Sequence, residues 1–407
     1  MCFPIEEVRK QFPALNRTYH GRSVVYLDGP GGSQVLKSSI DAMVKYMESG
    51  GANLHGSFPS SRETEQIIAD SKQAVADFLG AHPQEVAFGA NMTTLALAIS
   101  RALGQSWGEG GEIVLSEIDH RANVDPWLLM ARDHGLTVKW IEVDPDGLTL
   151  NLENLDSLIT DKTRLVAVSL ASNAVGTVND VKRIARRARE VGALVAVDAV
   201  HAAPHLSIDR DDLDVDILLC SAYKFFGPHV GIAVIRSEVF EALRPYKLSP
   251  APEHFPDKLE TGTQNHEGIA GIKPAIDFFD TMGVGENRRD RIVSGIKRIE
   301  EYENQLANQL REALSQMENV TLYQADETVP KTPTIAFQIE GIKPQDLCRV
   351  LADEHGIFAA DGDFYATTLA EKLDINKSGG WIRVGIAPYN TEEEVERFIE
   401  AVSAVIR

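Results

Sequence analysis

The amino-acid sequence predicts an α/β protein with a large domain, built on a mostly parallel sheet sandwiched by helices, and a smaller C-terminal α+β domain. Apolar runs of strand length alternate with helical patterns from about Val24 to about Gly283, which is typical of βαβ units. A long amphipathic pattern follows, and 407 residues exceed what one hydrophobic core usually supports. The predicted units are an N-terminal segment of residues 1–23 that packs on the small domain, a large domain of residues 24–284 and a small domain of residues 285–407.

The predicted strands of the large domain are short apolar runs, as expected for strands that are covered on both faces. In chain order they are Glu85–Phe88, Glu112–Leu115, Val138–Val143, Leu165–Leu170, Leu194–Val197, Ile217–Leu219 and Ile232–Ile235.

The predicted small domain begins with a helix whose apolar residues recur three or four positions apart between Arg288 and Gln316. Strand candidates and helical stretches alternate after it. They are the strands Thr334–Gln338, Ile357–Ala360 and Trp381–Ile386 and the helices Pro344–His355 and Glu392–Ile406.

Composition argues against several classes of function. The 40 basic and 60 acidic residues give a net charge of −20, which disfavours nucleic acid because phosphate backbones need clustered Lys and Arg. No apolar run approaches the ~20 residues of a membrane span, so we expect no membrane partner. Residues 1–10 carry acids and bases where a secretion signal needs an apolar stretch, and we expect a cytoplasmic protein.

The three cysteines are widely spaced and odd in number, which indicates neither a disulfide framework nor a metal site. Cys220 in a predicted buried strand and Cys348 on a predicted helix are interpreted as packed structural thiols. Cys2 is expected to lie far from any site.

Asp198 and Lys224 each follow an apolar strand, at the sheet edge where ligands of open α/β proteins gather. Alone, such an aspartate is most often a cap or turn residue, and such a lysine is most often solvated. Together they have the polarity of a pyridoxal phosphate site, because aspartate can keep a pyridine nitrogen protonated and lysine can form a Schiff base with an aldehyde.

With its flanking residues, the pair resembles the class V aminotransferases, especially the group of cysteine desulfurases and selenocysteine lyases. The resemblance covers almost the whole chain and implies fold type I with pyridoxal 5'-phosphate as cofactor. It further implies that Lys224 holds the cofactor and acts as the base at the substrate Cα, while Asp198 pairs with the pyridine nitrogen.

The resemblance also assigns the residues around the cofactor phosphate. In the turn Gly89–Thr94, Thr93 and Thr94 take the place of the family's phosphate-binding threonines, and Met92 replaces its usual glycine. Ser221 and Tyr223 flank the lysine as phosphate donors, with Tyr223 in place of a histidine. Thr263 is expected to reach the phosphate in the neighbouring subunit, which implies a homodimer.

Three residues are assigned to the cofactor ring. His120, in a segment that matches at Asn123 and Trp127, is expected to stack on the pyridine. Asn173 is expected beside the phenolic oxygen. His201 replaces a glutamine opposite Asn173 and could tune the pKa of the same group.

The resemblance implies an α-amino acid substrate, because Arg383 takes the place of the arginine that clamps the α-carboxylate. His55 and Tyr365 are further candidates for substrate contact, with Asp363 nearby. Tyr365 stands where desulfurases carry their loop cysteine, and a phenol cannot accept sulfane sulfur. The loop Asp28–Gln34 also departs from the family in having three glycines and a proline.

These assignments favour a β-elimination, in which a Cβ–S lyase acts on cysteine, cystine or a conjugate without a persulfide cysteine. An aminotransferase is the alternative, and the fold also permits a racemase. A further alternative is a non-catalytic protein that binds the cofactor and serves as a regulatory or sulfur-transfer partner.

Overall fold

The structure is a computed structural model that describes residues 3–254 and 256–406. Cys2, predicted to be remote, lies outside these residues. None of the helices in the described part of the chain combines the length and hydropathy needed to span a membrane.

The N-terminal region of the chain contains three short strands and leads into two long helices. Its elements are α1 (Ile5–Arg9), β1 (Thr18–Tyr19), β2 (Arg22–Ser23), β3 (Val25–Tyr26), α2 (Lys37–Glu48) and α3 (Pro59–Leu79).

The central region alternates strands and helices, and every predicted strand of the large domain is present within about three residues of its expected bounds. The elements are β4 (Val86–Gly89), α4 (Met92–Trp107), β5 (Glu112–Ser116), α5 (Asp125–His134), β6 (Thr137–Ile141), β7 (Val143–Asp144), β8 (Thr149–Leu150), α6 (Leu155–Leu158), β9 (Thr163–Ser169), α7 (Val181–Val191), β10 (Leu194–Asp198), α8 (Arg210–Leu213), β11 (Ile217–Ser221) and β12 (Gly231–Ile235).

The remainder of the chain forms α9 (Ser237–Ala242), α10 (His266–Ala270), α11 (Ile272–Met282), α12 (Arg288–Ser315), β13 (Val320–Tyr323), β14 (Thr334–Ile339), α13 (Pro344–His355), β15 (Ile357–Phe358), β16 (Ala360–Gly362), α14 (Thr367–Lys372), β17 (Trp381–Gly385) and α15 (Glu392–Ile406). Short 3₁₀ turns lie at Pro13–Asn16, Pro83–Glu85, Arg121–Asn123, Ala222–Lys224 and Ile375–Ser378.

The main sheet has seven strands in the order β4-β12-β11-β10-β9-β5-β6. Strand β12 runs antiparallel to both of its neighbours, and the other pairs are parallel. Apolar side chains cover both faces: Val195 and Val197 of β10 pack in one core cluster, and Ala196 packs in the other. The mostly parallel sheet sandwiched by helices is therefore confirmed, with one reversed strand.

A second sheet, in the order β13-β14-β17-β16, is antiparallel throughout. Its strands share a core with α12, α13 and α15. The single strand predicted over Ile357–Ala360 is wrong, because the chain changes partner at Ala359. Strand β15 pairs with β3, whereas β16 pairs with β17.

The N-terminal segment contacts both regions of the chain. Arg9 forms an ion pair with Glu394 at 2.9 Å, and the Phe12 ring packs edge-on against Phe226 and Phe278. The predicted domain boundaries stay a prediction, since these contacts do not test where one unit ends.

Candidate active site

A cavity of about 310 Å³ lies where β9, β10 and β11 end. Ligand sites of α/β sheets form at the carboxyl ends of strands because the connecting loops converge there. The structure brings ten of the predicted site residues to this cavity. They are Thr93, His120, Asn173, Asp198, His201, Ser221, Tyr223, Lys224, Tyr365 and Arg383.

Lys224 extends into the cavity, where its Nζ donates a hydrogen bond to the carbonyl oxygen of Pro30. Burial lowers the pKa of the Lys224 amine to about 7, and the positive charge of Arg383 acts in the same direction. A large fraction of the amine is therefore unprotonated near neutral pH, which a nucleophile or a base requires.

Asp198 is buried at the end of β10, where one carboxylate oxygen accepts a hydrogen bond from the Val200 N–H at 2.8 Å. Burial raises the pKa of the Asp198 carboxyl to about 7. Within residues 3–254 and 256–406 no basic side chain forms an ion pair with it. A buried carboxylate without a cation fits a site that receives a protonated ring nitrogen.

His120 precedes the turn that leads into α5. Its Nδ1 accepts a hydrogen bond from the Ala122 N–H at 2.9 Å, so the neutral ring carries its proton on Nε2. Burial lowers the pKa of His120 to about 4, with Lys224 as the next cause. The side chain is a neutral, flat ring suited to stacking.

The matching residues Asn123 and Trp127 hold the His120 turn from behind. Trp127 Nε1 donates to Asn123 Oδ1 at 3.1 Å, and Asn123 Nδ2 donates to Asp119 Oδ2 at 2.6 Å. Asp119 also accepts a hydrogen bond from the Ser169 hydroxyl at the end of β9. These buried bonds fix the turn against the sheet.

The N-terminus of α4 forms the expected phosphate corner. The Met92 N–H donates to the Ser221 hydroxyl oxygen at 3.1 Å, which leaves the Ser221 proton available to a ligand, and Thr93 lines the cavity. Thr94 is directed elsewhere: its hydroxyl accepts from the Asn91 N–H and donates to the Asn91 carbonyl, which caps the helix. The helix dipole favours an anion at this end, where the Met92 and Thr94 N–H groups donate to Ser221 and Asn91.

Gly231 permits the close approach of β12 to this corner. A Cβ at Gly231 would lie 2.2 Å from the carbonyl carbon of Asn91, inside the contact distance of any side chain. Tyr223 continues the wall, with its ring stacked on His229 at a centroid distance of 4.8 Å.

His201 is held by two threonines that the sequence did not single out. Its Nε2 lies 3.0 Å from the Thr332 hydroxyl and 3.0 Å from the Thr334 hydroxyl. Arg311 fixes both threonines by donating to their carbonyl oxygens, and burial lowers the pKa of His201 well below its usual value. The imidazole is therefore neutral and fixed in orientation.

Arg383 on β17 is buried, and its Nη1 donates to the Asn173 carbonyl at 2.7 Å. Its Nε is buried and makes no hydrogen bond in the described part of the chain. Burial lowers the pKa of Arg383 to about 9, while Asp28 opposes that shift. The guanidinium remains charged at neutral pH and has an unused Nε/Nη2 edge.

Phe364 and Tyr365 close the same side of the cavity. The Phe364 ring centroid lies 3.7 Å from Arg383 Cζ, and the Tyr365 ring lies 5.4 Å from the His120 ring. Tyr365 is 68% exposed at the mouth. The Asp363 carboxylate accepts hydrogen bonds from the Tyr365 N–H and the Thr367 hydroxyl, and so it holds the backbone of its own loop.

Neither described cysteine lines this cavity. Cys220 is completely buried in β11, and burial raises the pKa of its thiol far above the usual range. Burial raises the pKa of Cys348 to about 12. Both are packed thiols, as their positions in the sequence indicate.

His55 and Thr263 lie elsewhere, together, around a second cavity of about 370 Å³. The His55 side chain is 82% exposed and lies 3.4 Å from Glu65. Within one chain the structure does not bring either residue to Lys224.

The residues around Lys224 fit pyridoxal phosphate. The α4 terminus and Ser221 can hold its phosphate, Asp198 its ring nitrogen, and His120 the face of its ring. Asn173 Oδ1 and Arg383 Nε are buried polar atoms without a hydrogen-bond partner among the described residues, as expected where a ligand supplies the partner. A lysine and an aspartate at neighbouring strand ends, beside an anion-binding helix terminus, define an α/β enzyme built for this cofactor.

Comparison with known proteins identifies the family. Residues 25–398 match the model of the class-V aminotransferases. An aminotransferase-like protein of Gibberella zeae is 32% identical over 99% of both chains, and a cysteine desulfurase of an Enterobacter species is 31% identical over 100% of this chain and 99% of its own. The chain therefore belongs to the class-V aminotransferase family and is a pyridoxal phosphate-dependent enzyme, similar to cysteine desulfurases.

Solved structures support the same assignment. The apo cysteine desulfurase of Thermococcus onnurineus NA1 superposes with a TM-score of 0.89 at 29% identity, covering 100% of this chain and 98% of its own. The Escherichia coli cysteine desulfurase CsdA has a TM-score of 0.86 at 25% identity, with 100% and 99% covered. Fold type I is confirmed.

Proposed function

We propose that this protein acts on an α-amino acid and catalyses β-elimination, as a Cβ–S lyase for cysteine, cystine or a conjugate that uses no persulfide cysteine. The observation that carries the substrate class is the Arg383 guanidinium in the cavity that contains Lys224, because its buried Nε has no hydrogen-bond partner among the described residues. Two parallel N–H groups match the two oxygens of a carboxylate, and a buried guanidinium gains from that partner.

The roles of the side chains follow from their positions. Arg383 binds the α-carboxylate and so fixes the substrate Cα near Lys224. The unprotonated Lys224 amine accepts the Cα proton, and Asp198 stabilises a positive charge on the ring nitrogen. The bound cofactor supplies the electron sink for this proton transfer. His120 covers the ring and limits access of water.

Elimination is favoured over sulfur transfer by the state of the two thiols in the described part of the chain. Cys220 and Cys348 are buried with raised pKa values, and Tyr365 is an exposed residue at the cavity mouth. A phenol does not accept sulfur from the substrate. The group that leaves Cβ, with its bonding electrons, would then depart to solvent, and hydrolysis of the remainder gives pyruvate and ammonia.

An aminotransferase is the second candidate. The relative from Gibberella zeae is described as aminotransferase-like, and a lysine with a pKa near 7 could also return the proton that it takes from the substrate to the bound cofactor. A non-catalytic binding protein is the less favoured reading, because such a protein needs no carboxylate-binding arginine in the cavity.

Product analysis distinguishes these functions. The purified holoenzyme is incubated with cysteine, cystine and a panel of other amino acids, and pyruvate, ammonia and pyridoxamine phosphate are assayed. Pyruvate formed over many turnovers supports the lyase. One equivalent of pyridoxamine phosphate per enzyme, without such pyruvate formation, supports the aminotransferase. The absence of any turnover supports the binding protein. Lys224→Ala is the control and should abolish every product.

We also propose a homodimer in which Thr263 contributes to the site of the neighbouring subunit. The support is that Thr263 and His55 share an open cavity away from their own Lys224. The cytoplasmic location stays a prediction from the sequence.

A further inference from the structure

We propose that Phe364 is a positioning residue that holds the Arg383 guanidinium and thereby sets selectivity for a carboxylate. This inference rests on the proposed function, in which Arg383 binds the α-carboxylate. The contacts that carry it join Phe364, Asn173 and Arg383 in a closed ring.

Each side of the ring is a direct contact. Arg383 Nη1 donates to the Asn173 carbonyl at 2.7 Å, and Asn173 Nδ2 donates to the Phe364 carbonyl at 2.8 Å. The Phe364 ring closes it with its centroid 3.7 Å from Arg383 Cζ. An aromatic face attracts a cation at this distance, most strongly where water is excluded.

The backbone of this segment is held in an unfavourable conformation. Phe364 has φ 56° and Tyr365 has φ 57°, both in the left-handed region that side chains with a Cβ disfavour. The Asp363 carboxylate accepts from the Tyr365 N–H, and the Arg121 N–H donates to the Tyr365 carbonyl at 2.8 Å. Two consecutive residues in this region persist only when surrounding contacts hold them, and they cluster at functional sites.

These three contacts leave one edge of the guanidinium for a ligand. Phe364 covers one face of the guanidinium, and the Asn173 carbonyl accepts the hydrogen bond from Nη1. Nη2 lies beside Gly31, where a Cβ would be 3.7 Å from that nitrogen. A planar carboxylate can approach Nε and Nη2 in the plane of the guanidinium. Without the Phe364 ring the side chain could tilt, and the two hydrogen bonds would lose their common plane.

The test compares an acid with its amide. L-Alanine and L-alaninamide carry the same amine and the same side chain, so the ratio of their dissociation constants reports the carboxylate contact. Binding to the holoenzyme is followed by the change in cofactor absorbance. Phe364→Leu should weaken L-alanine binding about three- to tenfold and leave L-alaninamide unchanged, whereas Phe364→Tyr and Phe364→Trp should keep the wild-type ratio.

A matched control is available in Phe358→Leu. Phe358 also faces an arginine, Arg17, with a centroid distance of 5.8 Å, but it lies outside the cavity. The proposal would be overturned if Phe358→Leu and Phe364→Leu changed the ratio of the two dissociation constants equally, or if Phe364→Leu left that ratio unchanged. If the leucine variant does not fold, Phe364→Met fills the gap without an aromatic face and carries the same expectation.

Arg383→Ala separates this inference from the proposed function. If Arg383→Ala keeps the wild-type ratio of the two dissociation constants, Arg383 does not bind the carboxylate and both proposals fail. If Arg383→Ala abolishes the preference for L-alanine but Phe364→Leu keeps the wild-type ratio, only the role of Phe364 is overturned.

Discussion

At the scale of single residues, burial brings the pKa values of Lys224 and Asp198 close to neutral pH. The pKa of Lys224 falls to about 7 and that of Asp198 rises to about 7, and desolvation is the largest cause in both cases. Desolvation therefore leaves the Lys224 amine partly unprotonated, so that it can react, and it makes the Asp198 carboxylate more stable when a cation lies beside it.

The uptake of pyridoxal phosphate by the apo protein should reflect the pKa of Lys224. The amine must be unprotonated to react with an aldehyde, so the rate should rise as the pH passes through about 7 and become flat above about 8. A lysine with its ordinary pKa would give a rate that still rises at pH 9. Stopped-flow absorbance measures this profile, and Lys224→Ala should show no such phase.

Asp198→Asn should change how the stability of the apo protein depends on pH. The folded-state pKa is raised to about 7, so the wild type has the full contribution of this group below the unfolded pKa of about 4 and loses it as the pH rises through 7. Asparagine can still accept the Val200 N–H bond but does not ionise. The free energy of unfolding of the variant, relative to the wild type, should increase by up to a few kcal/mol between pH 4 and pH 8.

Urea unfolding at each pH measures this difference. A constant offset between the two proteins would contradict the raised pKa. Asp212→Asn is the control, because it makes the same exchange of a carboxylate for an amide at an exposed position outside the cavity.

At the scale of elements, the phosphate corner depends on how closely β12 approaches the turn before α4. Gly231→Ala should destabilise the fold by about 1–3 kcal/mol, since its Cβ would overlap Asn91. The displaced turn should also weaken cofactor binding, measured as the dissociation constant of pyridoxal phosphate.

Gly108→Ala provides the comparison at the far end of α4. Gly108 has φ 70° with open space around it, so alanine strains the backbone without touching the corner. It should lower stability while leaving cofactor affinity intact. Equal loss of affinity in both variants would mean that general destabilisation is the cause.

The sequence was sufficient for the strands of the seven-stranded sheet and for much of the cavity wall, for physical reasons. Buried parallel strands are continuous apolar runs, and the residues that end β10 and β11 necessarily meet at the same edge. Contacts between distant segments have no such periodic signature. The bonds of Thr332 and Thr334 to His201, and the ring of Phe364 on Arg383, depend on how the two sheets pack, and no local pattern encodes that.

At the scale of the whole molecule, the cavity is shared between the two sheets. Asp198 ends β10 and Lys224 follows β11 of the seven-stranded sheet, whereas Arg383 belongs to the four-stranded sheet. Lys372 of the helix after Tyr365 also forms an ion pair with Glu117, which follows β5. Any movement between the sheets would therefore change the distance between the carboxylate-binding group and the base.

The proposed dimer should allow two inactive chains to restore each other. Thr263→Glu introduces a negative charge where Thr263 is proposed to meet the partner's cofactor phosphate, and Lys224→Ala removes the reactive amine. A dimer with one chain of each kind would combine both defects in one site and leave the other site intact, so about half of the wild-type activity per dimer should return.

The two chains are co-expressed with different affinity tags, and the mixed dimer is purified through both tags. Lys224→Ala paired with Asp198→Ala is the control and should stay inactive, because both defects act within their own chain. If the Thr263→Glu pairing stays inactive, Thr263 acts in its own subunit, and a Thr263→Glu homodimer with wild-type activity would mean that Thr263 contributes to neither site.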